Sequence, residues 1–231
     1  MTNALAVSNL ALAYPVSGGV QTVLDIEELQ VEAGLAVGLT GPSGSGKTSL
    51  LYVLAGLERP QHGTVCWGDT DIASLPESER DRWRRQHVGM VFQDFHLFPG
   101  MSALQNVVLP ATFAHVAIPV RLKRRASDLL KEVGLNGGQQ RVETLSRGEL
   151  QRVAVARALL FAPPIVLADE PTASLDTASG DRVTELLLGL CKDAGSTLVV
   201  VSHDARVLGR LDAVGTLVRG HFLTGRAVGS C

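Results

Sequence analysis

The sequence predicts an α/β fold built on a mainly parallel sheet with helices along its flanks. Short apolar runs rich in β-branched residues alternate with helical patterns along most of the chain, which is typical of such a sheet. One run, over 37–40, leads into a glycine-rich loop and then a helix predicted over 47–57 that closes near Gly56. Two more buried strands, over 165–168 and 197–201, end at polar residues. Because ligand groups gather at the carboxyl ends of parallel strands, this edge of the sheet is the predicted site.

The N-terminal third departs from this alternation and predicts a small antiparallel β layer. Strand patterns occur over 5–14, 20–24 and 64–67. The dipeptide Gly18-Gly19 provides a turn between the first two, because glycine adopts the positive φ that hairpin turns require. We therefore expect this layer to lie beside the parallel sheet.

Strand patterns disappear between about 95 and 144, and helices are predicted there instead. They run over 102–109 and 120–133, and the second ends at Gly134. A chain of 231 residues buries roughly 70% of its unfolded surface and needs no disulfide or metal to hold it together. We expect one domain over 1–231, with the α/β core and β layer in about 1–94 and 145–231 and a helical subdomain in about 95–144.

Charge and composition argue against several classes of function. A formal net charge of −2 and a pI near 6.3 provide no overall field that would hold nucleic acid. A basic run alternates with acidic residues and is interpreted as a solvated helix face; it comprises Arg80, Arg82, Arg84 and Arg85. The cysteines lack the paired spacing of a zinc or thiol redox motif and are expected to be reduced; they are Cys66, Cys191 and Cys231.

Neither a secretory signal nor a membrane span is expected from the sequence. The chain does not open on a basic stretch followed by an apolar core. No apolar run approaches the roughly 18 residues of a spanning helix. A mean hydropathy of +0.19 with 19% charged residues is high for a freely soluble protein and is compatible with large protein contacts on the surface. We expect a soluble chain that can sit against a membrane protein.

The residues after the first buried strand match the phosphate loop G-x-x-x-x-G-K-[ST]. Its glycines let backbone N–H groups turn onto a β-phosphate, and the following helix presents the positive end of its dipole. Lys47 is expected to contact the β- and γ-phosphates, and the Thr48 hydroxyl to bind Mg²⁺. The alternative, a glycine-rich turn with a surface lysine, is disfavoured by the strand-loop-helix context. The predicted nucleotide-binding residues here are Gly41, Pro42, Ser43, Gly44, Ser45, Gly46, Lys47, Thr48 and Ser49.

Two carboxylates, Asp169 and Glu170, stand at the end of the buried strand over 165–168. Asp169 is predicted to bind the metal, and Glu170 to polarise the attacking water as a general base. The alternative is that Asp169 caps the next helix and Glu170 is solvated. A glutamine at position 170 would indicate nucleotide binding only, so the glutamate predicts hydrolysis.

A second segment with phosphate-binding character lies at 145–151 and reads Leu-Ser-Arg-Gly-Glu-Leu-Gln. Ser146 and Gly148 offer a hydroxyl and free backbone N–H groups at the start of a helix predicted over 149–160. The alternative is a helix cap in which Ser146 and Glu149 form a capping box. Both interpretations can hold together, and the segment alone does not separate them.

With several more motifs in fixed order, these segments resemble the ATP-binding subunits of ABC transporters. The resemblance covers roughly 5–225, and its specificity comes from the order of the motifs. Along this chain they are Tyr14, the phosphate loop, Gln93 after Val91-Phe92, Leu145 to Gln151, Asp169-Glu170, Ser174-Leu175-Asp176 and His203.

The resemblance implies a role for each of the remaining residues. Gln93 would sense Mg²⁺ and the attacking water, and His203 would bind the γ-phosphate and orient Glu170. Asp176 would cross a dimer interface, and Tyr14 would stack on adenine. Each has a structural alternative: a polar strand end for Gln93, a helix cap for His203 and Asp176, and simple packing for Tyr14.

The chain departs from the family pattern L-S-G-G-[QE] at the third position, where Arg147 replaces glycine. The residues that the family uses against the partner's γ-phosphate are present as Ser146 and Gly148. Leu150 also replaces a residue that is usually polar or basic. We hypothesise that Arg147 points into solvent and changes turnover only modestly.

The function implied is an ATPase subunit that dimerises head to tail, traps two Mg·ATP between the copies, and reopens after hydrolysis. Separate membrane subunits would hold it at the cytoplasmic face of the inner or cell membrane and dock near Gln93 and the apolar stretch at 95–98; that stretch could equally be helix-packing core. The sequence segments at 88–93 and 102–107 resemble those of the lipoprotein-release and macrolide-export branch of the ABC transporters. The expected cargo is therefore a lipoprotein, a lipid or a drug. The alternatives are a non-transport ABC ATPase, which signals in cell division or acts on DNA or ribosomes, and a switch GTPase. No guanine-reading motif supports the GTPase.

Overall fold

A six-stranded, mainly parallel sheet forms the centre of the computed structural model, which describes residues 3–113, 117–136 and 138–223. The strands are β1 Leu5–Val16, β2 Gly19–Val31, β3 Ala36–Thr40, β4 His62–Trp67, β5 Thr70–Asp71, β6 Val88–Val91, β7 Ile165–Asp169, β8 Thr197–Val201, β9 Ala213–Val218 and β10 His221–Leu223. The central sheet has the order β10-β9-β3-β8-β7-β6, and only β10 is antiparallel to its neighbour. The predicted strands over 37–40, 165–168 and 197–201 are confirmed, while β9 and β10 have no counterpart among the predicted strands.

Both faces of the central sheet are covered, which explains why its strands are continuously apolar. In β7, Ile165 and Leu167 belong to one hydrophobic cluster, whereas Val166 and Ala168 belong to the other. The first cluster includes the antiparallel layer and the helix that follows the phosphate loop, whereas the second includes the helical insertion and the helix that begins after Ser146. The central sheet is therefore packed on both faces, and polar residues lie at the ends of its strands.

The predicted antiparallel layer is present, with the order β2-β1-β4-β5. Its second strand runs to Val31 rather than to residue 24. Acidic residues interrupt the apolar run after Leu24, but they lie on the solvent side while Ile26 and Leu29 stay buried. Alternation therefore carries the strand beyond its predicted end.

Seven helices surround the sheets in the part of the chain that is described. They are α1 Lys47–Leu54, α2 Glu77–His87, α3 Ala103–Thr112, α4 Val120–Glu132, α5 Arg147–Ala158, α6 Thr177–Ala194 and α7 Ala205–Leu208, with a 3₁₀ turn at Val142–Thr144. Helix α3 continues past Pro110, although the prediction stops at residue 109. Helices α3 and α4 lie between β6 and β7 in the chain, as the helical insertion predicts. None of the seven is long and apolar enough to cross a membrane.

The basic run on α2 is only partly a solvated face. Arg82 and Arg85 are exposed, but Arg80 is buried and its Nε donates to the carbonyl of Gly56 at 3.1 Å. Arg84 donates to the same carbonyl at 2.8 Å. Two arginines therefore bond a carbonyl just beyond the C-terminus of α1. Positive charge is favourable there because the C-terminal end of a helix dipole is negative. The solvated interpretation is wrong for Arg80, because a distant helix end supplies its partner.

Cys66 and Cys191 are free thiols, and burial raises the pKa of Cys191 to about 12. Cys231, the domain boundaries at residues 1 and 231, and the end of the resemblance at residue 225 lie outside the described residues.

Candidate nucleotide site

The phosphate loop joins β3 to α1 and keeps a conformation that only glycine permits. Gly41 has a φ of 147°, and a Cβ built there would lie 2.0 Å from the carbonyl oxygen of Leu217. Gly46, the residue before α1, has a φ of 98° and would place a Cβ 2.7 Å from the carbonyl oxygen of Val23. The predicted strand-loop-helix arrangement is confirmed, and the loop is wrapped by distant strands.

Lys47 is the first residue of α1, and its ammonium group folds back over the loop. Its Nζ donates to the carbonyls of Gly41 and Pro42, at 2.9 Å each. Ser45 is buried inside the turn, and its hydroxyl has no hydrogen-bond partner among the described residues. The loop therefore concentrates donors around a small space.

That space is a cavity of about 330 Å³ where the strands of the central sheet end. It unites the loop with residues predicted from two separate motifs, namely Gln93 and the pair Asp169-Glu170. Val23 and Val201 also line it, although no local pattern marked them. The lining is completed by Ser43, Gly44, Gly46, Lys47, Thr48 and Ser49.

Asp169 ends β7 and is only 6% exposed, and its carboxylate oxygen Oδ1 has no hydrogen-bond partner in the described part of the chain. Burial raises the pKa of Asp169 and the charge of Glu170 adds to the rise, whereas the Thr48 hydroxyl and Lys47 oppose it. A buried, unpaired carboxylate oxygen is costly unless a cation or donor compensates it. The Asp169 and Thr48 oxygens are hard ligands of the kind that Mg²⁺ prefers, so these residues fit a divalent cation.

Glu170 follows Asp169 with a φ of 44°, and its backbone N–H donates to Val201 at 2.9 Å. His203 lies after β8 and places Nδ1 2.8 Å from Oε1 of Glu170. The Glu170 side chain is 14% exposed, whereas that of His203 is 70% exposed. Asp204, not His203, caps α7, so the helix-cap alternative for His203 is wrong. The pair holds a carboxylate at the cavity wall.

Tyr14 lies on β1 outside the cavity and is 36% exposed. Its pKa is raised by burial and by a hydrogen bond with Glu58, while a hydrogen bond with Ser49 opposes the rise. The side chain therefore reaches from the antiparallel layer to α1. Its adenine-stacking role stays a prediction.

The segment at 145–151 lies apart from the cavity. Ser146 caps α5: its hydroxyl accepts from the Glu149 N–H at 3.4 Å and donates to Oε2 of Glu149 at 2.7 Å. Oε2 also accepts from the backbone N–H of Ser146 at 2.8 Å. The hydrogen bonds from Ser146 lower the pKa of Glu149. The predicted capping box is present, which leaves the phosphate-binding interpretation open beside it.

The neighbours of Ser146 differ in exposure. Gly148 is buried against α6, and a Cβ there would approach Ser179 to 3.1 Å. Arg147 is exposed.

Asp176 caps α6 by accepting from the Ser179 N–H at 3.0 Å, and hydrogen bonds with Ser179 lower the pKa of the Asp176 carboxyl. The helix-cap alternative for Asp176 therefore describes its contact within one chain.

A second cavity, of about 700 Å³, lies between α2, β6, α3 and the end of α5; we name it the α2–α5 groove. Its apolar lining includes Met90, Phe92, Phe98, Leu109, Phe113 and Phe161. Of the predicted docking stretch at 95–98, His96 and Phe98 line it. Leu97 packs instead against the helical core, so for that residue the core alternative is correct.

The family model described as ABC transporter matches residues 24–173. The chain belongs to the ABC transporter family. The lipoprotein-releasing system ATP-binding protein LolD of Legionella pneumophila is 41% identical over 86% of this chain and 87% of its own length. LolD of Syntrophotalea carbinolica is 40% identical over 97% of both. The family prediction is confirmed, and the relatives agree with its lipoprotein-release branch.

Solved structures of ABC cassettes share the fold. A dimeric post-hydrolysis state of the cassette MJ0796 with bound ADP and Pi has a TM-score of 0.88 and 33% identity, and the match covers 98% of this chain and 100% of that one. CbiO1 from Clostridium perfringens, part of the transporter complex cbiONQ, has a TM-score of 0.81 and 27% identity over 95% and 86%. The predicted fold class is confirmed. The chain is an ATP-binding subunit of an ABC transporter and an ATPase, and the GTPase alternative is wrong.

Proposed function

We propose that this subunit binds Mg·ATP in the cavity at the phosphate loop and pairs head to tail with a second copy. The observation that carries the proposal is the convergence of the loop with Gln93, Asp169 and Glu170 in one cavity, while Ser146 and Gly148 lie outside it. Each nucleotide would then lie between the phosphate loop of one copy and the Ser146–Gly148 segment of the other. Residues 1–94 and 145–231 would act as the core, and 95–144 as the helical subdomain.

The chemistry of the proposed site follows from its donors and acceptors. Backbone N–H groups of the loop and Lys47 bind the phosphates. Bound Mg²⁺ would be held by Thr48 and Asp169, with Gln93 beside it, and would neutralise phosphate charge. Glu170 accepts a proton from the attacking water, and its hydrogen bond with His203 fixes the direction of the carboxylate.

Nucleotide hydrolysis tests this assignment. We expect the purified chain to hydrolyse ATP in preference to GTP, and Glu170→Gln to bind ATP without turnover. Glu185→Gln is a suitable control because Glu185 is an exposed carboxylate on α6. Equal turnover of GTP, or unchanged turnover in Glu170→Gln, would contradict the proposal.

We further propose that a segment of a separate membrane subunit docks in the α2–α5 groove and holds the chain at the cytoplasmic face of the membrane. The groove exposes Phe98 and Phe113, and its described lining holds no carboxylate but four arginines: Arg82, Arg84, Arg85 and Arg157. An apolar floor with a cationic wall fits an amphipathic segment that carries acidic groups.

Co-purification with the membrane subunits from detergent extracts tests the docking proposal. Phe98→Arg should abolish it, whereas Leu223→Arg should not, because Leu223 is an exposed apolar residue on β10 at the opposite edge of the sheet. If both variants co-purify equally, the groove is not the docking site.

The proposed cargo is a lipid-linked protein. Relatives about 40% identical over most of the chain are LolD subunits of lipoprotein-releasing systems. Reconstitution of the subunit with its membrane partners in lipoprotein-loaded vesicles should give ATP-dependent release. Absence of release from an assembly that still hydrolyses ATP would favour lipid or drug transport, or a non-transport role.

A further inference from the structure

Arg157, in the last turn of α5, is bonded to the loop that carries Gln93. Its Nη1 donates to the carbonyl of His96 at 2.5 Å, and its Nη2 donates to the carbonyl of Phe95 at 2.7 Å. These acceptors lie two and three residues after Gln93, which lines the nucleotide cavity. The planar guanidinium fork therefore holds two consecutive peptide groups at once.

The contact joins a cation only to neutral groups. Arg157 takes part in none of the ion pairs formed by the described residues. Burial lowers the pKa of its guanidinium. Removing a charge from water is expensive without a partner, so the two carbonyls are the groups that stabilise Arg157 in its place.

The bonded loop also has a backbone that needs such support. His96 has a φ of 47°, a left-handed conformation that residues other than glycine seldom adopt. The side chains of His96 and Arg157 both line the α2–α5 groove. A segment seated in the groove would therefore touch both the loop and the side chain that fastens it.

Helix α5 extends this connection to the segment at 145–151. It begins at Arg147, directly after Ser146, and ends at Ala158, one residue beyond Arg157. Most residues between are buried, including Val153, Ala154 and Val155. A packed helix moves as a rigid unit, so its N-terminus, Arg157 and the bonded loop must shift together.

We propose that Arg157 is a positioning residue that fastens the loop carrying Gln93 to α5. Docking of a segment in the groove and closure of the dimer at Ser146 would then both change the position of Gln93 through this one side chain. The inference rests on the proposed function, since it uses the roles given to Gln93 and the groove. It adds a residue to which no local motif had pointed.

The test is a double-mutant cycle on ATP hydrolysis by the full chain. Arg157→Gln should lower kcat roughly tenfold with little change in KM, because a misplaced Gln93 affects the chemical step more than binding. Gln93→Ala should lower kcat at least as much. The double variant should be no slower than Gln93→Ala alone, because Arg157 acts through Gln93. Arg157→Lys should recover part of the activity.

A matched control separates this role from general stabilisation. Arg125 of α4 also donates to backbone carbonyls near the end of α5, those of Leu159 and Leu160, at 3.4 and 3.1 Å. Arg125→Gln should shift the thermal unfolding midpoint about as much as Arg157→Gln but leave kcat unchanged. If Arg157→Gln does not fold, Arg157→Lys replaces it in the cycle.

Multiplicative losses in the double variant, or an equal loss of kcat in Arg125→Gln, would overturn the inference while leaving the proposed function intact. An unchanged kcat in Gln93→Ala would overturn both the role of Gln93 and this inference. A chain that does not hydrolyse ATP at all would instead contradict the proposed function.

Discussion

The phosphate-loop cavity and the segment at 145–151 differ in how much of a site one chain supplies. The cavity gathers residues from three separate motifs around one space and includes a buried oxygen of Asp169 that none of the described residues bonds. At the other segment, the Ser146 hydroxyl and the backbone N–H groups of Ser146 and Glu149 are already bonded in a capping box. The cavity therefore has a buried acceptor that still needs a cation or donor, whereas the second segment already has the cap that a helix start requires.

Substitutions in the two regions should therefore have different consequences. A change in the cavity should alter chemistry within its own chain. A change at Ser146 should alter helix stability in one chain and, if the shared-site proposal is right, hydrolysis in the neighbouring copy.

The largest effect is expected from removal of the general base. Glu170→Gln should slow hydrolysis by about 10²- to 10⁴-fold, because the amide cannot accept a proton from water. Single-turnover measurements with radiolabelled ATP would check this. If Glu170→Gln hydrolyses ATP within tenfold of the rate of the unaltered chain, Glu170 is not the general base.

The metal site should show the next largest effect. Asp169→Asn removes the charge of the buried carboxylate while keeping its size, so the Mg²⁺ concentration for half-maximal hydrolysis should rise on the order of tenfold or more. A titration of activity with Mg²⁺ measures it, with the exposed Asp193→Asn as the control. An unchanged Mg²⁺ requirement would leave Asp169 without a metal role.

Two serines allow the capping and phosphate roles to be separated. Ser102 and Ser146 each cap a helix through a capping box, with Gln105 and Glu149 respectively. Replacing either by alanine should lower the free energy of unfolding by about 1 kcal/mol. Only Ser146→Ala should also slow hydrolysis, by roughly tenfold, since a hydrogen bond to a charged phosphate is lost. Equal rates of ATP hydrolysis in Ser102→Ala and Ser146→Ala would show that Ser146 acts only as a helix cap.

The smallest effect is expected at Arg147. Its side chain is exposed and makes no hydrogen bond or ion pair with the described residues. Arg147→Gly should therefore change the ATPase rate of the assembled transporter by less than about tenfold. A larger change would show that the arginine acts on the phosphate or on the dimer interface.

The cavity is predictable because its motifs are local: a strand, a glycine loop and a helix specify Lys47 and Thr48, and a strand end specifies Asp169 and Glu170. Long-range packing hides the rest. The burial of Arg80 depends on a carbonyl at Gly56, and Val23 reaches the cavity only because the antiparallel layer folds over the loop.

Arg157 shows the same limit within the candidate site. It follows an apolar stretch of α5, where one cation carries no motif. Its partners Phe95 and His96 are about sixty residues away in the chain. An arginine with no acidic residue in the adjacent helical turns is the single signal that the sequence offers.

A nucleotide site shared between two copies can be detected by sedimentation of Glu170→Gln with saturating Mg·ATP. The shared site predicts a dimer that forms with ATP, returns to monomer with ADP, and is lost when Ser146→Arg is added. A Glu170→Gln protein that stays monomeric while its cavity is saturated with ATP would contradict the shared site.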